Sequence, residues 1–256
     1  MFTILAMLAC FVASTLVYLY VFGAPSHFAD GDNTKDPLPG DYFGTVYKGG
    51  FIVPLLLGLF FVVIVFVIER FITLSKASGG GNVDGFIRNI RGMLDRGDVS
   101  AAIAACDRQK GSVANVVRAG LTKYGEMQST SGMDKDQRIL AIQKEVEEAT
   151  TLELPILESN LSILATIASV ATLLGLFGTV LGMIRAFAAL ANAGAPDSTA
   201  LATGISEALI NTALGIGTSA LAIIAYNFFT GRIDALTYRI DEAGYSLTQT
   251  FASKSN

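Results

Sequence analysis

The sequence has few of the residues that soluble enzymes use for chemistry. Only 16% of its 256 residues are charged, and it contains one histidine and two cysteines. The histidine, His27, stands in a polar segment, and Cys10 and Cys106 lie far apart in the chain. These counts exclude a histidine-based metal cluster, and no disulfide framework or metal-ligand spacing follows from them.

Motifs of catalysis are also missing. We find no phosphate-binding glycine loop, no Ser/His/Asp set and no metal-ligand constellation. An enzyme is therefore the least favoured class of protein, and we expect no cofactor. The net charge of −4 gives no indication of a nucleic-acid partner.

The sequence instead has a surplus of apolar residues in four long blocks. Hydrophobic residues make up 52% of the chain, and about 20 consecutive apolar residues suffice to cross the hydrocarbon of a bilayer. We predict an all-α polytopic membrane protein with transmembrane helices at residues 1–22, 50–76, 159–193 and 201–231. The first block has no positive residue before it and no clear cleavage site, so we expect it to be retained.

Residues 77–158, between the second and third blocks, are predicted to form a small helical domain. Asp134 is expected to cap a long helix that continues past Pro155 into the third block. Apolar residues recur in this domain at helical spacing, namely Phe86, Ile87, Ile90, Met93, Leu94, Val113, Val116, Val117, Leu121 and Tyr124.

The placement of lysine and arginine predicts the orientation in the membrane. Residues 76–155 hold 11 of the 18 positive residues, the linker at 23–49 holds two, and the loop at 194–200 holds none. Loops rich in positive residues remain in the cytoplasm. We therefore expect the helical domain, the tail at 232–256 and both termini to be cytoplasmic, and the linker and the loop to be periplasmic. The short loop requires an antiparallel hairpin of the last two helices.

The last two blocks are rich in small and hydroxyl residues, which a simple anchor does not need. Small residues allow helix backbones to approach closely, and packing alone explains any single one of them as well as a pore does. For the whole set on two adjacent helices, a water-filled pore beside a packed interface is the better interpretation. We assign helix packing to five glycines, Gly175, Gly178, Gly182, Gly204 and Gly215.

Glu207 is the sharpest polar signal in these blocks. A charge deep in a spanning helix costs about 3 kcal/mol on insertion scales and normally faces a cavity or a partner. Counted from the turn near Pro196, Arg185 and Glu207 lie at matching depth, which predicts a pair within one chain or between subunits. The alternatives are that Glu207 lies near the membrane surface, paired or solvated, and that Arg185 extends to the outer surface.

Thr179 and Thr212 lie at a second matching level, about 8 Å along the helix axis from the Arg185/Glu207 level. A hydroxyl group both donates and accepts hydrogen bonds, so a ring of these threonines can hold water for proton transfer. No carboxylate of this chain lies at that level. A proton carrier would therefore have to come from another subunit.

The residues around these positions resemble the MotA/TolQ/ExbB proton-channel family, and ExbB most closely. The resemblance covers about residues 50–232 and is strongest in the last two spans. It rests on Gly178-Thr179-Val180-x-Gly182 in the third block and Gly204-Ile205-x-Glu207-Ala208-Leu209-x-x-Thr212-Ala213-x-Gly215 in the fourth. The usual ExbB or TolQ pattern has three spanning helices. This chain has an extra first helix, and its stretch Gly49-Gly50-Phe51-Ile52-Val53-Pro54, leading to Ile68-Glu69-Arg70-Phe71, resembles four-helix ExbB-like proteins of Bacteroidota.

The resemblance implies a ring-shaped homo-oligomer, a pentamer in the family pattern, in a bacterial inner membrane. In that pattern the ring surrounds helices of a dimeric ExbD-like partner, whose membrane aspartate carries the proton, and the complex energises a TonB-like protein for outer-membrane transport. Thr179 and Thr212 match the pore threonines of the family, and Glu207 matches its membrane glutamate, so the resemblance assigns all three residues to the proton pathway and the pore lining. The transported ion would be H⁺, with Na⁺ not excluded.

Two other functions remain open on the sequence alone. One is a TolQ-like envelope motor or a gliding or flagellar stator, which would share the channel but drive another process. The other is a passive membrane scaffold. A scaffold does not require Thr179, Thr212 and Glu207 on adjacent helices, so we favour the channel.

Overall fold

The structure is a computed structural model that describes residues 2–129, 134–192 and 198–254. Nine α-helices follow one another in these ranges, and the only β-bridge described there joins Phe28 and Pro37. The helices are α1 (Phe2–Leu16), α2 (Tyr42–Tyr47), α3 (Val53–Ala77), α4 (Val83–Asp95), α5 (Val99–Gln109), α6 (Gly111–Ser129), α7 (Lys135–Glu158), α8 (Leu161–Asn192) and α9 (Ser198–Lys254).

Four helical stretches are long and apolar enough to cross a membrane. They are Thr3–Phe22, Val53–Ala77, Lys135–Ala191 and Ser198–Ser253. The stretch Lys135–Ala191 comprises α7 and nearly all of α8, and its apolar part is α8. The prediction of an all-α polytopic membrane protein with four spans is therefore confirmed. The predicted ring remains a prediction.

The helices belong to two compact units. The first consists of Met1–Ile68 and Asn160–Asn227, and the second of Glu69–Ser159 and Phe228–Asn256. The first unit contains the four apolar stretches except for the last parts of α3 and α9. In this unit α1 contacts α3 where a Cβ on Gly58 would lie 2.3 Å from the ring of Phe11, and Ser14 Oγ donates a hydrogen bond to Pro54 O at 2.9 Å.

The segment at 23–49, expected to be a polar linker, is an ordered cap built on aromatic contacts. Val17–Phe22 continues α1 as a π-helical turn, Phe28 is buried, and the rings of Tyr18 and Tyr47 stack at 4.7 Å. Asp41 caps α2 by accepting from Gly44 N at 2.9 Å and lies 2.7 Å from His27 Nδ1. These two contacts hold the pKa of the Asp41 carboxyl below its usual value.

The second unit contains the helical domain predicted from residue spacing. Asn82 caps α4, and Asp134 caps α7 in a capping box, as predicted. Burial raises the pKa of the Cys106 thiol to about 12, so this cysteine is an unreactive core residue. The buried positions follow the helical period, including Phe86, Ile90, Leu94, Val113, Val116, Val117 and Leu121.

Two helix boundaries differ from the expectation. Helix α7 continues past Pro155 but ends at Glu158 rather than entering the third block, because the chain turns at Asn160 with a φ of +60°. Helix α9 does not end near residue 231 but continues to Lys254. The last part of α9 buries one face in the second unit and therefore remains helical instead of forming a separate tail. The buried residues of this face are Ile233, Leu236, Ile240, Ala243, Leu247 and Phe251. The expected turn at Gly194–Asp197 lies outside the described residues.

Arg70, at the start of the second unit, forms hydrogen bonds to the end of α7. Its side chain is 1% exposed. Nε and Nη2 donate to the Glu69 carboxylate, each at 2.7 Å, while Nη1 donates to Leu157 O at 3.0 Å. Nη2 also donates to Ser159 Oγ at 3.1 Å. A planar guanidinium serves all these acceptors at once, which an ammonium group cannot do.

We therefore expect Arg70→Lys to lower the free energy of unfolding by about 1.5–3 kcal/mol, because buried charge-assisted hydrogen bonds are lost. The measurement is unfolding of the purified protein followed by circular dichroism. Arg118→Lys is the matched control, since Arg118 and Asp107 are both more than half exposed in their 3.2 Å pair, and such pairs contribute about 0–1 kcal/mol. Equal stability changes in the two variants would contradict the structural role of Arg70.

Candidate functional site

The candidate site lies in the first unit, where α8 and α9 pack against each other along small residues. A Cβ on Gly175 would lie 3.0 Å from Gly215 Cα, and one on Gly182 would lie 2.8 Å from Ala208 N. A Cβ on Gly204 would lie 2.8 Å from Ala186 N. No side chain fits at these points, so the two backbones are in direct contact. Four of the five glycines assigned to helix packing thus meet the opposite backbone.

Gly178, the fifth glycine, makes room for a side chain. A Cβ at this position would lie 2.5 Å from Asn211 Cβ and 2.9 Å from Asn211 Nδ2. Asn211 is fully buried, and its Nδ2 donates to the Gly49 carbonyl at 2.9 Å. Asn211 was not among the residues predicted for the site. An amide in an apolar span is a signal that could have revealed it, because a buried polar group needs a partner.

Thr179 and Thr212 face each other across the helix contact. Their hydroxyl oxygens are within hydrogen-bond distance, and either can be the donor. Backbone carbonyls also accept from them, with Thr179 Oγ1 3.2 Å from Gly175 O and Thr212 Oγ1 3.1 Å from Ala208 O. Both threonines are only partly buried. Each hydroxyl oxygen has two lone pairs, and those that the Thr179–Thr212 bond does not use can accept from water or from a hydrated proton.

Arg185 and Glu207 form an ion pair within one chain. Arg185 Nη1 donates to Glu207 Oε1 at 2.6 Å. The structure thus brings together the two residues that depth counting had placed at one level. The Glu207 side chain is 7% exposed and the Arg185 side chain 52% exposed. A buried carboxylate therefore depends on a cation that still reaches the surface of the unit.

The turn that leads into α3 completes this site. Gly50 has a φ of +80°, and a Cβ on it would lie 2.2 Å from Glu207 Oε1. The next residue, Phe51, places its ring centre 5.7 Å from Arg185 Cζ, in a cation–π contact. Gly49 to Pro54 entered the sequence prediction only through the family resemblance, and their contact with the ion pair was not predicted.

Among the described residues, no group of three or more histidine, cysteine, aspartate or glutamate side chains could hold a metal ion. Both cysteines are buried. The polar groups that the candidate site brings together are the threonine pair, the Arg185–Glu207 pair and Asn211. The assignment of Thr179, Thr212 and Glu207 to a proton pathway remains a prediction.

Comparison with known proteins supports a family assignment. The model of the MotA/TolQ/ExbB proton channel family matches residues 108–242, more than half of the chain. This range contains α7, α8 and most of α9, and hence both threonines and both members of the ion pair.

Individual relatives carry two different names. The Tol-Pal system protein TolQ of Pseudomonas aeruginosa is 35% identical over 127 residues, which are 50% of this chain and 55% of the relative. The biopolymer transport protein ExbB of Xanthomonas campestris is 32% identical over 128 residues, 50% of this chain and 51% of the relative. An ExbB homolog of Methanothermobacter thermautotrophicus is 29% identical over 199 residues, 76% of this chain and 66% of the relative. The chain thus spans about half the length of the first two of these relatives.

Proposed function

Since the chain belongs to the MotA/TolQ/ExbB proton channel family, we propose that it is the channel-forming subunit of a motor driven by the proton-motive force in a bacterial inner membrane. In its specific form the proposal is ExbB-like. Together with an ExbD-like dimeric partner, the protein energises a TonB-like protein for transport across the outer membrane. The relatives named biopolymer transport protein ExbB support this specific form.

The observation that carries the proposal is the Thr179–Thr212 contact. Two hydroxyl groups meet in the middle of two apolar helices and remain partly accessible. Passive packing does not need them, because the neighbouring glycines already bring the helices together. Their oxygens can accept hydrogen bonds from water and release them again, which transfer of a proton along a water chain requires.

The carboxylates of the apolar stretches indicate that a partner protein supplies the proton carrier. Glu207 is the only carboxylate in the apolar stretches 3–22, 53–68, 161–192 and 198–229. Its position is five residues from Thr212, about 7.5 Å along the helix axis, and its charge is already paired with Arg185. A proton carrier at the threonine level must therefore come from another chain, and an ExbD-like membrane aspartate fits this role. Each proton that crosses releases about 2.3 kcal/mol per 100 mV of membrane potential.

The outer faces of α8 and α9 favour assembly into a ring. Both helices expose large apolar side chains that must be covered by lipid or by protein, including Leu173, Phe177, Val180, Ile184 and Phe187 on α8 and Ile205, Leu209, Ile216 and Ile224 on α9. In the proposed ring, a pentamer by family resemblance, neighbouring copies cover part of these faces. The threonines then line the central passage around the partner helices, with the helical domain and both termini on the cytoplasmic side.

The proposal can be tested in proteoliposomes that contain a pH-sensitive dye. The protein is reconstituted alone and together with its ExbD-like partner, and a membrane potential is imposed. We expect rapid acidification or alkalinisation, according to the sign of the potential, only when both proteins are present. A parallel measurement with a sodium-sensitive dye tests Na⁺ as the ion. Absence of ion flux with the partner bound would favour the passive scaffold.

A TolQ-like motor is the second candidate, because the TolQ relative of Pseudomonas aeruginosa is the most identical of the three relatives described above. It would use the same channel to drive an envelope process. A deletion strain separates the two functions. Loss of TonB-dependent uptake with an intact envelope supports the ExbB-like motor, whereas a leaking envelope with normal uptake supports the TolQ-like motor.

A further inference from the structure

The turn formed by Gly49, Gly50 and Phe51 lies directly against the Arg185–Glu207 pair. Gly50 contacts the carboxylate so closely that a Cβ would lie 2.2 Å from Glu207 Oε1 and 3.5 Å from Arg185 Nη1. Phe51 places its ring beside the guanidinium. The turn thus touches both charged groups, and the positive φ of Gly50 lets the backbone adopt this position without strain.

Asn211 attaches this turn to the helix that carries Glu207. It stands four residues after Glu207 on α9, on the same helix face. Its Nδ2 donates to Gly49 O, and its Oδ1 has no hydrogen-bond partner among the described residues. A leucine of similar size would bury without this polar penalty. The bond to Gly49 therefore explains why an amide is present here.

We propose that Asn211 and Gly50 are positioning residues for Glu207. Asn211 holds the turn against α9, and the Gly50 backbone then confines the Glu207 carboxylate to its contact with Arg185. The effect of this positioning on proton transfer rests on the proposed function. A carboxylate that is held in an ion pair does not capture the protons that pass the threonines about one and a half helical turns away.

Carbodiimide labelling of Glu207 tests the inference in the complete complex in membranes. Dicyclohexylcarbodiimide enters the bilayer and modifies carboxyl groups that are accessible to it, and mass spectrometry of the Glu207 peptide gives the rate. We expect Gly50→Ala to raise this rate about tenfold, which is the lower end of the range that corresponds to loss of one charge-assisted hydrogen bond.

Gly40→Ala is the matched control for Gly50→Ala. Gly40 has a φ of +82°, almost the same as the +80° of Gly50, but a Cβ on it would meet no atom within 4 Å. Both substitutions thus place a Cβ on backbone with nearly the same positive φ, and only the one at Gly50 displaces Glu207. If the two variants label at rates within about twofold, well below the effect of one charged hydrogen bond, Gly50 has no positioning role.

Asn211→Leu tests the second residue and remains informative if Gly50→Ala does not fold. This substitution removes the hydrogen bond to Gly49 O and keeps the side-chain volume nearly constant. We expect it to speed the labelling of Glu207 and to change the thermal stability only a little. Thr218→Val, which removes another buried polar group on α9, is its control. Equal labelling of these two variants would overturn the role of Asn211.

The labelling experiment separates this inference from the proposed function. Faster labelling of the two variants together with no proton flux in the wild type would support the positioning role and refute the channel. Normal wild-type flux with unchanged labelling of the variants would refute the positioning role and leave the channel standing.

Discussion

Replacing Thr179 by valine is expected to reduce proton flux through the reconstituted complex about 10- to 100-fold. Valine has the shape of threonine but cannot accept a hydrogen bond, and a hydrogen bond to a charged group contributes about 1.5–3 kcal/mol, which corresponds to this range of rates. Thr179 contacts Thr212 and two backbone carbonyls, and the helices remain packed through the glycines. The measurement is the initial rate of internal pH change in proteoliposomes at a fixed potential.

The matched control is Thr166→Val on the same helix. The Thr166 hydroxyl also donates to the carbonyl four residues earlier, Ser162 O, at 2.8 Å, so the same local hydrogen bond is lost. Thirteen residues separate the two threonines, which places them about 140° apart around the helix axis. Flux should be nearly normal in this control. Equal flux in wild type, Thr179→Val and Thr166→Val would remove the threonine pair from the mechanism and favour a scaffold.

Counting residues from the turn was sufficient to find the centre of the site. An antiparallel hairpin with a constant rise per residue fixes which positions of the two helices lie at the same depth. Thr179 was expected at the level of Thr212, and Arg185 at the level of Glu207, and in the structure the members of each pair are in contact. The buried face of the helical domain could also be predicted, because Phe86, Ile90 and Leu94 repeat at helical spacing and are buried.

The contacts between distant parts of the chain could not be predicted from residue spacing. Asn211 and Gly49 are 162 residues apart, and no local period connects them. The cap at 23–49 looked like a linker because its prolines and aspartates are typical of loops, whereas its order comes from aromatic pairs such as Tyr18 with Tyr47. The extension of α9 was missed because its apolar positions, such as Ile240 and Phe251, are spread among polar residues.

Unequal burial of the Arg185–Glu207 pair leads to an asymmetric prediction. Arg185→Gln leaves a carboxylate that is only 7% exposed without a cation, and breaking a buried pair in this way costs about 3–5 kcal/mol. Glu207→Gln leaves an arginine that is 52% exposed and can be solvated, so its cost should be smaller. The double variant should recover most of the loss, because no buried charge remains. Thermal unfolding of the four proteins as a double-mutant cycle gives the coupling free energy.

The same four proteins separate a structural role of the pair from a role in conduction. If the pair only supports the fold, the stable double variant should conduct protons at the wild-type rate. If the fixed charge of Glu207 also shapes the passage, the double variant should be stable but should conduct more slowly. Equal destabilisation by Arg185→Gln and Glu207→Gln would contradict the buried position of the carboxylate, because solvent would then reach both members of the pair equally. The asymmetry therefore tests the geometry of the site before any assumption about the transported ion is made.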